Sequence, residues 1–151
     1  MYLDDFKVGD EFASPGMTIT DTQIIEFALK FDPQPFHVDV TAATAGPFGG
    51  LIASGFHTAA LSFRLFWQTG VLGDASLGSP GFDELRWLKP VRPGDTLRVV
   101  AKVLEVRRSS SKPDRGAVKM AYTTSNQHGD AVMTLVAIQL VKARPGGVTS
   151  A

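Results

Sequence analysis

The chain lacks cysteine altogether, which excludes disulfide bonds, thiol nucleophiles and cysteine-ligated metals together. It also lacks an excess of charge of either sign, because 15 Lys and Arg residues balance 15 Asp and Glu residues. A neutral chain has no electrostatic attraction for duplex nucleic acid or an anionic membrane surface, so neither is expected as a partner. No apolar run is long enough to cross a bilayer, and the acidic start of the chain does not resemble a signal peptide. We therefore expect a soluble, cytoplasmic protein.

Several chemical motifs are absent as well. With three histidines, no cysteine and no H-E-x-x-H spacing, the sequence offers no metal site. No serine lies in a G-x-S-x-G motif, and neither a G-x-G-x-x-G nor a phosphate-binding loop is present. Serine hydrolysis, nucleotide-dependent redox chemistry and phosphoryl transfer therefore have no support in the sequence, and no cofactor is expected.

The length and composition indicate one domain. A chain of 151 residues, 44% of them hydrophobic, has enough apolar material for a single core. We expect this domain to span residues 1–143. Residues 144–151 are rich in turn formers and small residues, and we expect them to form a disordered tail.

Two helices are predicted in the first half of the chain. Thr20 and Gln23 have the spacing of a capping box, and apolar residues recur at helical spacing over 21–31. Pro33 and Pro35 should end that helix and stiffen an extended loop after it.

The second helix should run from Ser54, a plausible N-cap, to about Thr69, with Gly70 closing it. It is apolar on nearly all sides, so other structure must enclose most of it.

The second half of the chain predicts strands. Apolar and polar residues alternate over 97–103 and 118–122, while 131–141 is almost continuously apolar, as in a strand buried on both faces. A short strand is expected near 12–17, and turns are expected at 91–95 and 126–129. Helices followed by a strand meander favour an α+β domain in which an antiparallel sheet wraps a central helix.

The residues best suited to chemistry are Asp32 and His37. A carboxylate and an imidazole flank a loop that contains two prolines, so both groups can be held in place for general acid–base catalysis. The alternative is structural: Asp32 would cap a turn and His37 would pack at the edge of the core.

Three segments carry a family resemblance. They are Phe31–His37, with the sequence FDPQPFH, then Leu51–Gly55 preceded by Ala42 and Ala43, and Trp87–Leu97. Together they resemble the MaoC-like dehydratases and (R)-specific enoyl-CoA hydratases, and the resemblance extends over about residues 5 to 143. It implies the hot-dog fold, in which a long helix is wrapped by an antiparallel sheet.

The resemblance also implies a reaction. Such a protein interconverts a trans-2-enoyl-CoA and an (R)-3-hydroxyacyl-CoA, with coenzyme A present only as part of the thioester substrate. Asp32 and His37 would be the catalytic pair that holds one water, and the backbone N–H of Gly55 would bind the thioester carbonyl. A helix N-terminus suits that role because it offers free N–H groups to the negative charge of the enolate, and glycine would let the substrate approach closely.

Three further residues are substrate-binding candidates: Gln34, Ser54 and His57. Many family members have asparagine at the position of Gln34 and histidine at that of Ser54, so these departures bear on substrate preference. For His57 the alternative is a partly buried structural histidine.

Other functions remain open at this point. A hot-dog thioesterase would need a carboxylate on the central helix, but the stretch 56–67 contains no Asp or Glu. A non-catalytic acyl-CoA binding module would be expected to lose the Asp32 and His37 pair. A dehydratase of fatty-acid or polyketide assembly would use the same residues on a different carrier. A homodimer or higher oligomer is expected in each case, because pairing of sheet edges would cover an open strand.

Overall fold

The computed structural model describes residues 1–146. Within them the helices are α1 (Asp21–Phe31), α2 (Pro35–Val38), α3 (Val40–Ala45) and α4 (Gly55–Trp67). The strands are β1 (Glu11–Ala13), β2 (Met17–Thr18), β3 (Gly81–Trp87), β4 (Thr96–Arg108), β5 (Arg115–Ser125) and β6 (Ala131–Lys142). Most of the tail predicted at 144–151 lies outside the described residues. None of the helices in 1–146 is long and apolar enough to span a bilayer.

The strands form one antiparallel sheet in the order β1-β4-β5-β6-β3, and the two residues of β2 also pair with β4. The long strands β4, β5 and β6 are joined by tight turns, and the predicted turn at 126–129 has Gly129 at φ 80°. The predicted turn at 91–95 is also confirmed: Asp95 N–H donates to the Arg92 carbonyl, with Gly94 at φ 88°. The connections after β4 and after β5 place strands of 11 to 13 residues side by side.

Helix α4 packs on the inner face of this sheet. The ring of Phe66 lies 4.8 Å from that of Tyr122 on β5, and Ser62 shares a 2.7 Å hydrogen bond with Thr124. Beneath the helix lies a single core of residues less than 2% exposed, which includes Ile19, Ile24, Leu65, Leu97, Val99, Val103, Val118, Met120 and Met133. The α+β architecture predicted from the sequence is therefore confirmed.

Two predictions about burial were too strong. Phe56 and Trp67 on α4 are 64% and 49% exposed, so this chain alone does not enclose the helix on most sides. On β6, fully buried residues alternate with half-buried ones. The inner face of β6 meets the core, whereas side chains on its outer face, such as Val136 and Ile138, retain contact with solvent.

The segment after α1 also differs from its prediction. Helix α1 has the predicted bounds and the predicted capping box between Thr20 and Gln23. However, the chain does not continue as an extended loop, because Pro35 occupies the first position of the short helix α2 and α3 follows directly. Proline is tolerated at this position because the first N–H groups of a helix have no intrahelical partner.

Both ends of the described chain meet at the C-terminal end of β4. Asp4 forms an ion pair with Arg108, the last residue of that strand, and accepts a hydrogen bond from the backbone N–H of Arg144. Asp5 forms an ion pair with the side chain of Arg144. These contacts join the first turn of the chain to the segment after β6.

Candidate active site

Asp32 and His37 are brought together by the junction between α1 and α2. Asp32 is the C-cap of α1, with its N–H bonded to the Ala28 carbonyl, and His37 lies within α2. The short connection between α1 and α2 places His37 Nε2 3.3 Å from Asp32 Oδ2. Their side chains are only 5% and 15% exposed, so the pair is largely shielded from bulk water.

The other nitrogen of His37 defines the tautomer. His37 Nδ1 lies 2.6 Å from the backbone carbonyl oxygen of Ile52. A carbonyl can only accept a hydrogen bond, so Nδ1 carries the proton and donates it. In the neutral ring, Nε2 is therefore the nitrogen with a free lone pair, and it is the one that faces Asp32.

Two side chains hold Asp32 as a carboxylate. Ser54 Oγ donates to Asp32 Oδ2 at 2.7 Å, and Gln34 Nε2 donates to Asp32 Oδ1 at 2.8 Å. The Ser54 hydrogen bond lowers the pKa of Asp32 and burial opposes it, while the Gln34 hydrogen bond, and the charge of His37 whenever that ring is protonated, add to the lowering. Asp32 is therefore negatively charged at neutral pH.

The N-terminus of α4 faces the same site. Ser54 is its N-cap, as predicted, and accepts a hydrogen bond from the Phe56 N–H. Gly55 is the first residue of the helix, where N–H groups have no intrahelical partner and the helix dipole is positive. A negative charge that develops near Gly55 would be stabilised there.

A cavity of about 380 Å³ connects these groups. Four of the predicted site residues line it: Asp32, Gln34, His37 and Gly55. The remaining lining is mostly apolar and comes from Phe48, Ile52, Ala53, Phe56, Thr58, Trp87, Leu88, Lys89, Pro90 and Val91. Asp32 is the only carboxylate in this lining, and α4 contributes none. No group of three or more His, Asp or Glu residues that could hold a metal ion occurs within 1–146.

The other two candidates, Ser54 and His57, do not line this cavity. Ser54 is completely buried behind Asp32, and its hydroxyl is directed at that carboxylate. His57 lines a second cavity and stacks on Phe27 with ring centroids 4.4 Å apart. Burial lowers the pKa of His57, and its Nδ1 has no hydrogen-bond partner among residues 1–146.

Sequence reasoning missed two contributors to this site. The Ile52 carbonyl orients His37, but a backbone acceptor leaves no signature in the residue type. Trp87 lines the cavity beside Gly55, whereas the sequence marks its segment only through the family resemblance. The signal in the sequence that could have indicated Trp87 is a large aromatic residue directly after a segment with several charged residues.

Comparison with known proteins assigns this arrangement to a family. The sequence model of the MaoC-like domain matches residues 5–126. A crystal structure of the MaoC-like dehydratase from Rhodospirillum rubrum is 43% identical, with a TM-score of 0.89 over 96% of this chain and 99% of that one. The 3-hydroxyacyl-thioester dehydratase Z of Mycobacterium tuberculosis is 33% identical over 138 residues, which is 90% of this chain and 87% of that protein.

A more distant neighbour has the same architecture. The unliganded (R)-hydratase PhaJ1 from Pseudomonas aeruginosa is 25% identical, with a TM-score of 0.71 over 95% of this chain and 86% of that one. The hot-dog fold implied by the sequence resemblance is thereby confirmed, and a hydratase or dehydratase role in general is supported. The chain belongs to the MaoC-like dehydratase family.

Proposed function

We propose that the protein interconverts a trans-2-enoyl-CoA and an (R)-3-hydroxyacyl-CoA. The observation that carries this proposal is the placement of Asp32 Oδ2 and His37 Nε2, 3.3 Å apart, in one cavity with the N-terminus of α4. An acid–base pair beside a donor for negative charge is what water addition to an unsaturated thioester requires.

The acid–base pair would act on one water. In hydration, the water oxygen forms a bond to C3 of the enoyl group, and the π electrons move to give an enolate. The water proton passes to the Asp32 and His37 pair, and a proton returns from the pair to C2. Since Nδ1 of His37 is occupied by the Ile52 carbonyl, Nε2 is the nitrogen that handles this proton. An imidazolium formed there would lie 3.3 Å from the Asp32 carboxylate, which offsets the cost of its charge.

The enolate oxygen would be bound at α4. The N–H of Gly55 and the positive end of the helix dipole would face the thioester carbonyl as it gains charge. Apolar side chains from Phe48, Ile52 and Val91 would surround the acyl group and exclude bulk water.

A direct assay tests this proposal. The purified protein is incubated with trans-2-enoyl-CoAs of increasing chain length, and loss of the conjugated thioester absorbance is followed. Parallel reactions use the same enoyl groups on acyl carrier protein. We expect hydration of at least one CoA thioester and (R) configuration in the product by chiral analysis. Predominantly (S) product, or no turnover of any enoyl-CoA, would refute the proposal.

A homodimer is proposed to accompany this activity. Strand β3 is an edge of the sheet, and Phe82 and Trp87 on it are about half exposed, as is Leu88 directly after it. Pairing of two such edges would cover these apolar groups. Light scattering at micromolar concentration should give twice the chain mass, and Phe82→Lys should weaken the dimer. Leu104→Lys, at an exposed position on β4, is the matched control. A monomeric wild-type protein would contradict this proposal.

A further inference from the structure

The last residue of β3 lies directly against the first residue of α4. Trp87 Nε1 donates a hydrogen bond of 2.9 Å to the Gly55 carbonyl oxygen. The Phe56 ring stands edge-on to the indole, with centroids 5.8 Å apart and an interplanar angle of 74°. The indole is thus fixed to the N-terminus of α4 by one hydrogen bond and one aromatic contact.

This contact explains why residue 55 is glycine. A Cβ atom on Gly55 would lie 2.3 Å from Cε2 and 2.6 Å from Nε1 of Trp87, which is far inside van der Waals contact. The backbone of Gly55 does not have a positive φ, so its conformation alone does not demand glycine. The requirement comes from the indole ring and exists before any substrate binds, whereas the sequence suggested substrate approach as the reason.

We propose that Trp87 is a positioning residue: by packing on the Cα of Gly55 and binding its carbonyl oxygen, it restricts rotation about Gly55 and so holds the preceding peptide group, whose N–H would bind the thioester oxygen. The direction of a hydrogen-bond donor matters because donors stabilise a developing charge only if they are aligned in advance. Ser54 caps this turn through the Phe56 N–H, and the indole adds a second contact that restricts movement of Gly55. The catalytic part of this inference rests on the proposed function.

A double-mutant cycle tests the packing part without any assay of activity. Gly55→Ala should lower Tm by roughly 2–12 °C, because the added methyl group would overlap the indole ring. In a Trp87→Ala background the same substitution meets no ring and should lower Tm by less than about 2 °C. Equal losses in both backgrounds would show that Trp87 is not the reason for glycine at 55, and would overturn the inference.

Conservative variants test the positioning role. Trp87→Phe keeps an aromatic ring but loses the N–H donor, and Trp67→Phe is the matched control, because Trp67 is the only other tryptophan and lies at the opposite end of α4. On an enoyl-CoA that the wild type hydrates, Trp87→Phe should lower kcat about tenfold, the equivalent of one hydrogen bond of about 1.4 kcal/mol, with KM changed less than about threefold. Trp67→Phe should leave both constants unchanged. Retention of wild-type kcat in both Trp87→Phe and Trp87→Ala would refute the role.

A spectroscopic measurement separates this inference from the proposed function. The amide resonance of Gly55 in a ¹H–¹⁵N spectrum should move in Trp87→Phe and stay in place in Trp67→Phe, with Tm close to that of the wild type. An unmoved Gly55 resonance would overturn the inference even in an active enzyme. A wild-type protein that hydrates no enoyl-CoA would refute the proposed function, while the resonance and the Tm cycle would still decide whether Trp87 controls Gly55.

Discussion

Ser54→Ala should affect both the stability of the protein and the pH at which it works. The Ser54 hydroxyl is completely buried and has two partners. It accepts from the Phe56 N–H as the cap of α4, and it donates to Asp32 Oδ2 at 2.7 Å. Alanine at this position removes both hydrogen bonds and adds no bulk.

The cost can be worked out from these two contacts. Loss of an N-cap costs about 1 kcal/mol, and loss of a hydrogen bond to a charged group costs about 1.5 kcal/mol at the lower end. The lower end applies because Asp32 keeps its bond to Gln34 and retains some access to solvent. We therefore expect a loss of about 2–3 kcal/mol in the free energy of unfolding at neutral pH, a decrease in Tm of roughly 4–12 °C.

The sign of the pH effect follows from the pKa of Asp32. The Ser54 hydrogen bond is the largest cause of its lowered pKa, so Ser54→Ala should raise that pKa. Stability from this carboxylate is present above its ordinary pKa and is lost as pH falls through the lowered value. The acid limb of kcat/KM should therefore move to higher pH in the variant, and the Tm difference from wild type should shrink in acid.

The matched control is Ser62→Ala, a second buried serine of α4. Its hydroxyl bonds to Thr124 and to the Thr58 carbonyl, and it has no contact with Asp32. Ser62→Ala should lower Tm to a similar extent while leaving the acid limb in place. Superimposable kcat/KM profiles for wild type and Ser54→Ala between about pH 4 and 8 would refute the role assigned to Ser54.

Three further predictions follow from the site and the core. Asp32→Asn and His37→Ala should each lower kcat about a hundredfold or more, and the double variant should be little worse than the poorer single one, since the two groups act on one water; multiplied effects in steady-state kinetics would contradict this. His57→Phe should preserve the stack on Phe27, remove a buried nitrogen without a partner among residues 1–146 and raise Tm. Because burial lowers the pKa of His57 in the folded protein, the unfolded chain binds more protons than the folded one as pH falls towards and below about 6.5. The gain in Tm from His57→Phe should therefore grow in acid, and a Tm below that of the wild type at pH 5.5 would argue against it. Gly116→Ala should destabilise the β4–β5 hairpin strongly, since a Cβ there would lie 2.4 Å from a β4 carbonyl oxygen; thermal denaturation within about 1 °C of wild type would show that the hairpin can relax.

The sequence predicts the elements whose local signals agree with their packing. Helix α1 has its predicted bounds because the capping box at Thr20 and the apolar periodicity indicate the same start. Ser54 likewise caps α4, and Gly94 and Gly129, each with a positive φ, mark the two predicted turns. Each of these signals is contained within a few consecutive residues.

The missed features depend on contacts between distant segments. Strand β3 has no alternation of buried residues, and its register shifts near Glu84, which has a positive φ of 53°, so no strand period is visible in the sequence. The Ile52 carbonyl and the Trp87 indole act on residues 15 and 32 positions away. The proximity of His57 to Gly55 in the sequence suggests a role in the site, but His57 faces α1 and the second cavity. Such relationships are fixed by tertiary packing, which a single sequence does not display.

The clamp formed by Asp4, Asp5 and Arg144 has a practical consequence for handling the protein. Both ends of the described chain are held at the last residue of β4, while the cavity lies near the turn that precedes its first residue. The 13 residues of this strand span about 40 Å at 3.3 Å per residue. An affinity tag, a fused domain or a surface linker attached before residue 4 or after residue 144 would therefore project from the C-terminal end of β4, away from the cavity. A protein immobilised by either terminus should present its cavity to the solution.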